Sequence, residues 1–191
     1  MTITRRHAIL ALATGAAAAA LPAIPARAAS AEVIDARVNL ALSKLWQQSP
    51  GARDLADRAR GMLVMPRVVK GGLIVGGSYG EGALRLNDPA TGYGPTAAYY
   101  SVSAASIGLQ AGIQTTSHAL FFLTDEALAK FRRSDGWEIG ADAEVTFPDA
   151  GANIGVDSTS FEKPVVGIVF AEDGLLVGAS LEGAKYSLLQ R

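Results

Sequence analysis

The chain of 191 residues contains no cysteine. That excludes a disulfide-stapled scaffold and a thiolate-ligated metal centre. Charge of one sign is also lacking: 17 basic and 18 acidic side chains leave a net charge of −1, far from the strongly basic footprint of a nucleic-acid binder. Charged residues are scarce at 18% while hydrophobic ones reach 49%, which excludes an intrinsically disordered chain. No repeat of fixed period and no linker-like stretch divides the sequence, and its length suits one domain with a proper core. The longest apolar stretch, Ala8 to Leu21, is mostly alanine and too short to span a bilayer comfortably.

That stretch has another reading. Arg5 and Arg6 precede it, Pro22 and Pro25 break it, and Ala26-Arg27-Ala28 has the small-x-small form read by signal peptidase. The paired arginines resemble the twin-arginine export signal. Ala8 stands where that pattern prefers a large apolar residue, so the general secretory route stays open; a helix retained in the cytoplasm is the alternative to export. The expectation is a cleaved signal over 1–28 and a single mature domain over 29–191, periplasmic or secreted. Removing Arg5, Arg6 and Arg27 leaves 14 basic against 18 acidic residues, and His118 as the remaining histidine.

Within the mature chain, Ile34, Val38, Ala41, Leu42 and Leu45 recur at the spacing of one helix face, predicting a helix over Ala31–Gln48. Ser49-Pro50 suggests a serine N-cap and a first-turn proline for a second, short helix, which Gly61 should end. From Met62 the texture becomes strand-like. Short apolar runs at 62–65, 72–75, 83–86, 97–102, 107–113 and 119–123 are punctuated by Gly, Pro and Asn/Asp. Thr124 reads as the N-cap of one internal helix with Asp125 and Glu126 in its first turn, Leu128 and Phe131 facing inward, and Gly136 as its stop. Strands then resume over 137–147, 165–170, 175–180 and 184–188, with a hairpin turn at Glu172-Asp173-Gly174. The expected fold class is α+β: a curled antiparallel sheet or barrel-like β body packed with two N-terminal helices and one internal helix.

The sequence offers few residues that point to chemistry. The glycine-rich segment 71–82 lacks the Gly-Lys-Ser/Thr ending of a phosphate loop and the glycine order of a dinucleotide site; bending strands explain it better. Ser117-His118 has no Gly-x-Ser-x-Gly context, and His118 reads as a strand-edge or partly buried histidine rather than a catalytic one. Asp142 and Glu144 alternate on an expected strand, and Asp149, Asp157, Glu172 and Asp173 fall in expected loops, without the dense spacing of a calcium site. No catalytic residue, metal site or cofactor is assigned. Positive charge does cluster: Arg53, Arg58, Arg60, Arg67 and Lys70 fall within eighteen residues, interspersed with Asp54 and Asp57, and Lys163 and Lys185 are candidates to join them. Such cations beside an apolar, glycine-rich segment suit anionic headgroups; a solvated helix face with internal ion pairs is the competing reading.

Four blocks carry a resemblance. Tyr100-Ser101-Val102-Ser103 running to Gly108-Leu109-Gln110-Ala111-Gly112-Ile113-Gln114 resembles the central signature of the SYLF-domain family. The blocks 61–80, 122–140 and 174–184 resemble its glycine block, its helix with the following strand, and its closing motif. The resemblance runs in order over nearly the whole mature chain. It implies a non-enzymatic module that binds lipid, with phosphoinositides the usual ligand of eukaryotic members, some of which also bind actin filaments. Carried over, Ala31–Gln48 is the membrane-engaging helix, with Trp46 as an interfacial residue. That helix, however, offers Arg37 and Lys44 against Glu32 and Asp35 and lacks a strongly basic face. The leading expectation is an envelope lipid-binding protein that docks Arg53, Arg58, Arg60, Arg67 and Lys70 on an anionic membrane surface. The alternative is a structural or chaperone-like module that binds another envelope protein through a strand edge or apolar patch.

Overall fold

The computed structural model describes residues 29–72, 75–107, 112–142, 163–171, 174–175 and 181–191. The expected signal over 1–28 lies outside them. So do Glu144, Asp149, Asp157, Glu172, Asp173, most of the expected strand 175–180, and Gly108 to Ala111 of the central signature.

The helical periodicity of the N-terminal segment is realised as α1 (Ala31–Gln48), with Ile34, Val38, Ala41, Leu42 and Leu45 buried. Each large apolar side chain so buried contributes about 1.5–3 kcal/mol, and together they fix α1 against β1 (Gly61–Gly72) and β2 (Val75–Asp88). Polar ties set its rotation. Asp35 accepts from Thr96 Oγ1 at 2.6 Å and Tyr99 Oη at 2.9 Å, Arg85 donates to Asn39 Oδ1 at 2.8 Å, and Gln48 donates to the Ala171 carbonyl at 3.0 Å.

The short helix α2 (Gly51–Arg58) follows, with a correction at each end. The Ser49 hydroxyl is buried without a hydrogen-bond partner; its backbone carbonyl instead accepts from the Ala52 amide at 3.1 Å. The helix ends at Arg58, and Gly61 opens the next strand. Its last carbonyls are satisfied from far along the chain: Asn87 Nδ2 donates to Ala59 O at 2.9 Å and Ala56 O at 3.3 Å, and Tyr93 Oη donates to Ala56 O at 2.8 Å.

Among the described residues eight strands make one antiparallel sheet in the order β5-β8-β3-β2-β1-β4-β6-β7. They are β1, β2, β3 (Gly92–Ile107), β4 (Gly112–Phe122), β5 (Trp137–Glu138), β6 (Val165–Ala171), β7 (Gly174–Leu175) and β8 (Lys185–Leu189). The first four are much longer than the apolar runs suggested, because their outer halves mix glycine, small and polar or charged residues among the apolar ones. Two expected strands, 72–75 and 107–113, instead straddle the end of one strand and the start of the next. The expected strand 137–147 is interrupted: the backbone turns at 140–142, where Asp142 Oδ2 accepts from the Glu138 amide at 2.8 Å, and 143–147 lie outside the described residues.

Pro66 sits inside the central strand β1, where its missing N–H would break the ladder. The chain resolves this with a bulge. Val64 and Val68 pair with Ala83 and Gly80 of β2, and Met65 and Val68 with His118 and Thr116 of β4, so β1 carries one extra residue against both neighbours.

Both faces of the sheet are covered near its α-helical end. On the outer face, α1 and α2 pack over Met62, Val64, Ala83, Ala119, Phe121, Ile168 and Phe170. On the inner face, Leu63, Met65, Leu84, Leu120 and Phe122 meet α3 (Asp125–Arg133) and the aromatic residues Tyr100, Trp137 and Tyr186. Phe131 of α3 is the centre of this inner core, its ring centroid 4.7 Å from Tyr100, 4.8 Å from Phe122 and 5.3 Å from Trp137. Thr124 caps α3 as expected, accepting from the Ala127 amide at 3.1 Å; the helix stops at Arg133, before Gly136.

The curl has a direct measure. β8 and β4 are four strand steps apart, about 19 Å on a flat sheet, yet Tyr186 Oη lies 2.8 Å from His118 Nε2 across the inner face. Gly80 and Gly82 permit that curvature. A Cβ on Gly80 would lie 2.6 Å from the Arg67 carbonyl oxygen, and one on Gly82 would collide with the Val64 carbonyl and crowd Met65. The fold is therefore α+β, a curled half-barrel with two helices outside and one plugging the concave side.

Candidate functional site

The five cations that the sequence brings close fall into two separate places. Arg53 and Arg58 are exposed on α2, and Arg60 follows it at the entrance to β1. Arg53 lies over the Trp46 ring at 5.6 Å, and Arg60 Nε is 3.6 Å from Asp125 Oδ2 at the start of α3. Lys163 belongs to this end too, because the neighbouring Pro164 carbonyl accepts from the Leu123 amide while Phe122 O accepts from Arg60 N. Arg67 and Lys70 lie beyond the bulge. At about 3.3 Å per strand residue, Lys70 is roughly 30 Å along β1 from Arg60. An extended strand converts nearness in sequence into distance.

Trp46 is half-buried against the outer core, beneath Arg53. The apolar stripe of α1 is likewise committed to that core; its large solvent-exposed hydrophobics are Val33 and Leu40.

The far end of the sheet is different. There the outer halves of β1 to β4 run past the helices. Register places Lys185, Ser103, Tyr79, Val69 and Thr115 in one row across β8, β3, β2, β1 and β4. Tyr79 is 53% exposed and Ile113, two residues before Thr115, is 82% exposed. The bulge resets the alternation, so Lys70 shares the face of Val68, Ser78 and Gln114, opposite to Tyr79. Arg67 is exposed in the bulge itself. Among the described residues no ion pair engages Arg67 or Lys70. This end therefore combines uncompensated positive charge with an exposed aromatic and a branched aliphatic side chain. The sequence does not single out Tyr79 and Ile113: Tyr79 stands within the glycine-rich block, and Ile113 ends the expected strand 107–113.

His118 is not at a strand edge. It sits on β4 between β1 and β6, with no exposed surface. Burial pushes its pKa down to about 3, its Nε2 is engaged by Tyr186, and its Nδ1 has no partner. Ser117, adjacent in sequence, points to the opposite face and donates to the Pro66 carbonyl at 2.7 Å. Strand alternation keeps the Ser-His pair apart. Among the described residues no three His, Cys, Asp or Glu side chains gather as a metal site, and no helix is long and apolar enough to cross a membrane.

Residues 103–190, from the second half of β3 to the end of β8, match the Ysc84 family model, described as "Las17-binding protein actin regulator". This match is consistent with a SYLF-domain family. No curated protein matches the chain. The match begins inside β3, while β1 and β2 lie in the sheet between β3 and β4, so the matched strands close into a sheet only with the N-terminal hairpin.

Proposed function

We propose that this SYLF-domain protein is an exported, non-enzymatic lipid-binding module of the bacterial cell envelope that recognises anionic, phosphoinositide-like headgroups. The observation that carries this reading is the far end of the half-barrel, where Arg67 and Lys70 are exposed with no ion pair among the described residues and Tyr79 and Ile113 are exposed on the face opposite to Lys70. Cations near an anionic surface contribute about 1 kcal/mol each, and an aromatic ring with a polar tip suits the interface itself. Arg53, Arg58 and Arg60, at the opposite end, form a second and weaker candidate, since Arg60 is already paired with Asp125. Export rests on the leader-like segment 1–28, with cleavage after Ala28 by either the twin-arginine or the general secretory route.

The test is co-sedimentation of residues 29–191 with vesicles of neutral or anionic lipid, at low and high salt. Salt-sensitive binding to anionic vesicles alone is the expected result; no binding to either sinks the lipid reading. A protein ligand is the second reading, favoured by the words "Las17-binding" in the family description. It expects capture of one specific envelope protein, little altered by salt.

A further inference from the structure

Glu81 is an internal charge on β2 whose side chain is only 11% exposed. Its Oε1 is occupied twice, by Arg191 Nη2 at 2.8 Å and by Tyr79 Oη at 2.9 Å. Its Oε2 receives the backbone nitrogen of Ala29 at 3.2 Å. Ala29 is the residue that follows the small-x-small motif Ala26-Arg27-Ala28, and its methyl group packs against the outer core two residues before α1 begins.

We propose that Glu81 is a receptor for the α-ammonium group released at Ala29 when the leader is cut, so that processing locks α1 onto the sheet. This rests on the export reading above. In the uncut chain the group at Oε2 is a neutral amide. After cleavage between Ala28 and Ala29 the same nitrogen carries a full positive charge, and the carboxylate is flanked by two cations, the ammonium and Arg191. The amide already donates to an ionised acceptor; cleavage adds a direct charge–charge attraction between donor and acceptor, and the shielded position of Glu81 limits solvent screening. Placement is specific. A cut one residue earlier leaves an amide at Oε2 and carries the charge about 3.3 Å further along the chain. A cut one residue later removes the group altogether. The anchor is distant from Arg67 and Lys70 in role: it neutralises Glu81 and holds the helix, leaving the exposed cations for an external ligand.

The experiment is a double-mutant cycle on stability. Chains beginning at Ala29 and chains beginning at Ala28 are each prepared with Glu81 and with Glu81→Gln, and unfolded in denaturant. The expected result is that the Ala29 chain has an unfolding constant about three- to tenfold smaller than the Ala28 chain, and that this ratio falls to about one in Glu81→Gln. Equal stability of the two starts, or a ratio that persists in Glu81→Gln, overturns the proposal. Should Glu81→Gln fail to fold, the pH dependence of acylation of the α-amine in the Ala29 chain decides. The groups around that amine are Glu81, Tyr79 and Arg191, with Glu32 in the first turn of α1. A titration midpoint above the ordinary value of about 8 supports the ion pair, and an ordinary or lower midpoint overturns it. Mass determination of the N-terminus of protein recovered from a bacterial envelope tests the export reading separately. A start other than Ala29 sinks that reading and removes the processing role, while the cycle still reports whether Glu81 binds an ammonium.

Discussion

His118 is neutral in the folded protein because burial pushes its pKa down to about 3, whereas an imidazole in the unfolded chain titrates near 6.5. Above about pH 6.5 neither state binds the proton and the native state keeps its full advantage. As pH falls toward 3 the unfolded chain takes up a proton that the native state refuses, so stability declines by about 1.4 kcal/mol per pH unit. Denaturant unfolding of wild type and His118→Gln between pH 7 and pH 4 tests this: the variant should be weaker at pH 7 but lose stability less steeply on acidification. Parallel profiles would contradict the assignment. Gly82 is a second single-residue constraint. A methyl group there meets the backbone of β1 at Val64, which a side-chain rotamer change cannot relieve, so Gly82→Ala should cost about 1–3 kcal/mol. An unchanged unfolding midpoint would mean that the curl does not depend on that glycine.

At the level of elements, α2 is held by residues about thirty positions away. Its eight residues are too few for an independently stable helix, and its C-terminal carbonyls depend on Asn87 and Tyr93. Replacing Asn87 by Ala takes the side-chain donor from the part-buried Ala59 carbonyl, while Ala56 O keeps Tyr93, and should cost about 1 kcal/mol, with faster amide exchange over 51–60 if the loss is local. The inner helix α3 works by plugging. Phe131 touches the rings of Tyr100, Phe122, Trp137 and Tyr186, and Phe131→Ala should cost about 3–5 kcal/mol. The near-ultraviolet signal of Trp137 should weaken in the same variant, because its packing partner is gone.

For the whole molecule, the two ends of the half-barrel carry different chemistry. One end is closed by α2 and α3 and has its arginines engaged with Trp46 and Asp125; the other is a bare extension of four strands with Arg67, Lys70, Tyr79 and Ile113 exposed. Reversing charge at both Arg67 and Lys70 should reduce binding to anionic vesicles at least roughly tenfold. Reversal at Arg53 and Arg60 should reduce it much less. The opposite ranking, read by co-sedimentation at one salt concentration, would move the site to the helical end.

The sequence by itself determined α1 to the residue, the start of α3 at Thr124, the α+β class and the SYLF resemblance. Those features are local: a period of 3.6, a capping hydroxyl and ordered glycine blocks are written in neighbouring residues. Strand lengths were not legible, since the outer halves of β1 to β4 are polar or glycine-rich and are held by cross-strand pairing rather than by their own hydrophobicity. Only the tertiary structure decided which cations stand together, because β1 carries Arg60 and Lys70 to opposite ends while its bulge at Pro66 changes which face Lys70 shows. It also decided that His118 is buried against Tyr186 and that Ala29, Glu81 and Arg191 meet. Residues 110 positions apart in sequence become neighbours when a sheet curls, and no local pattern records that.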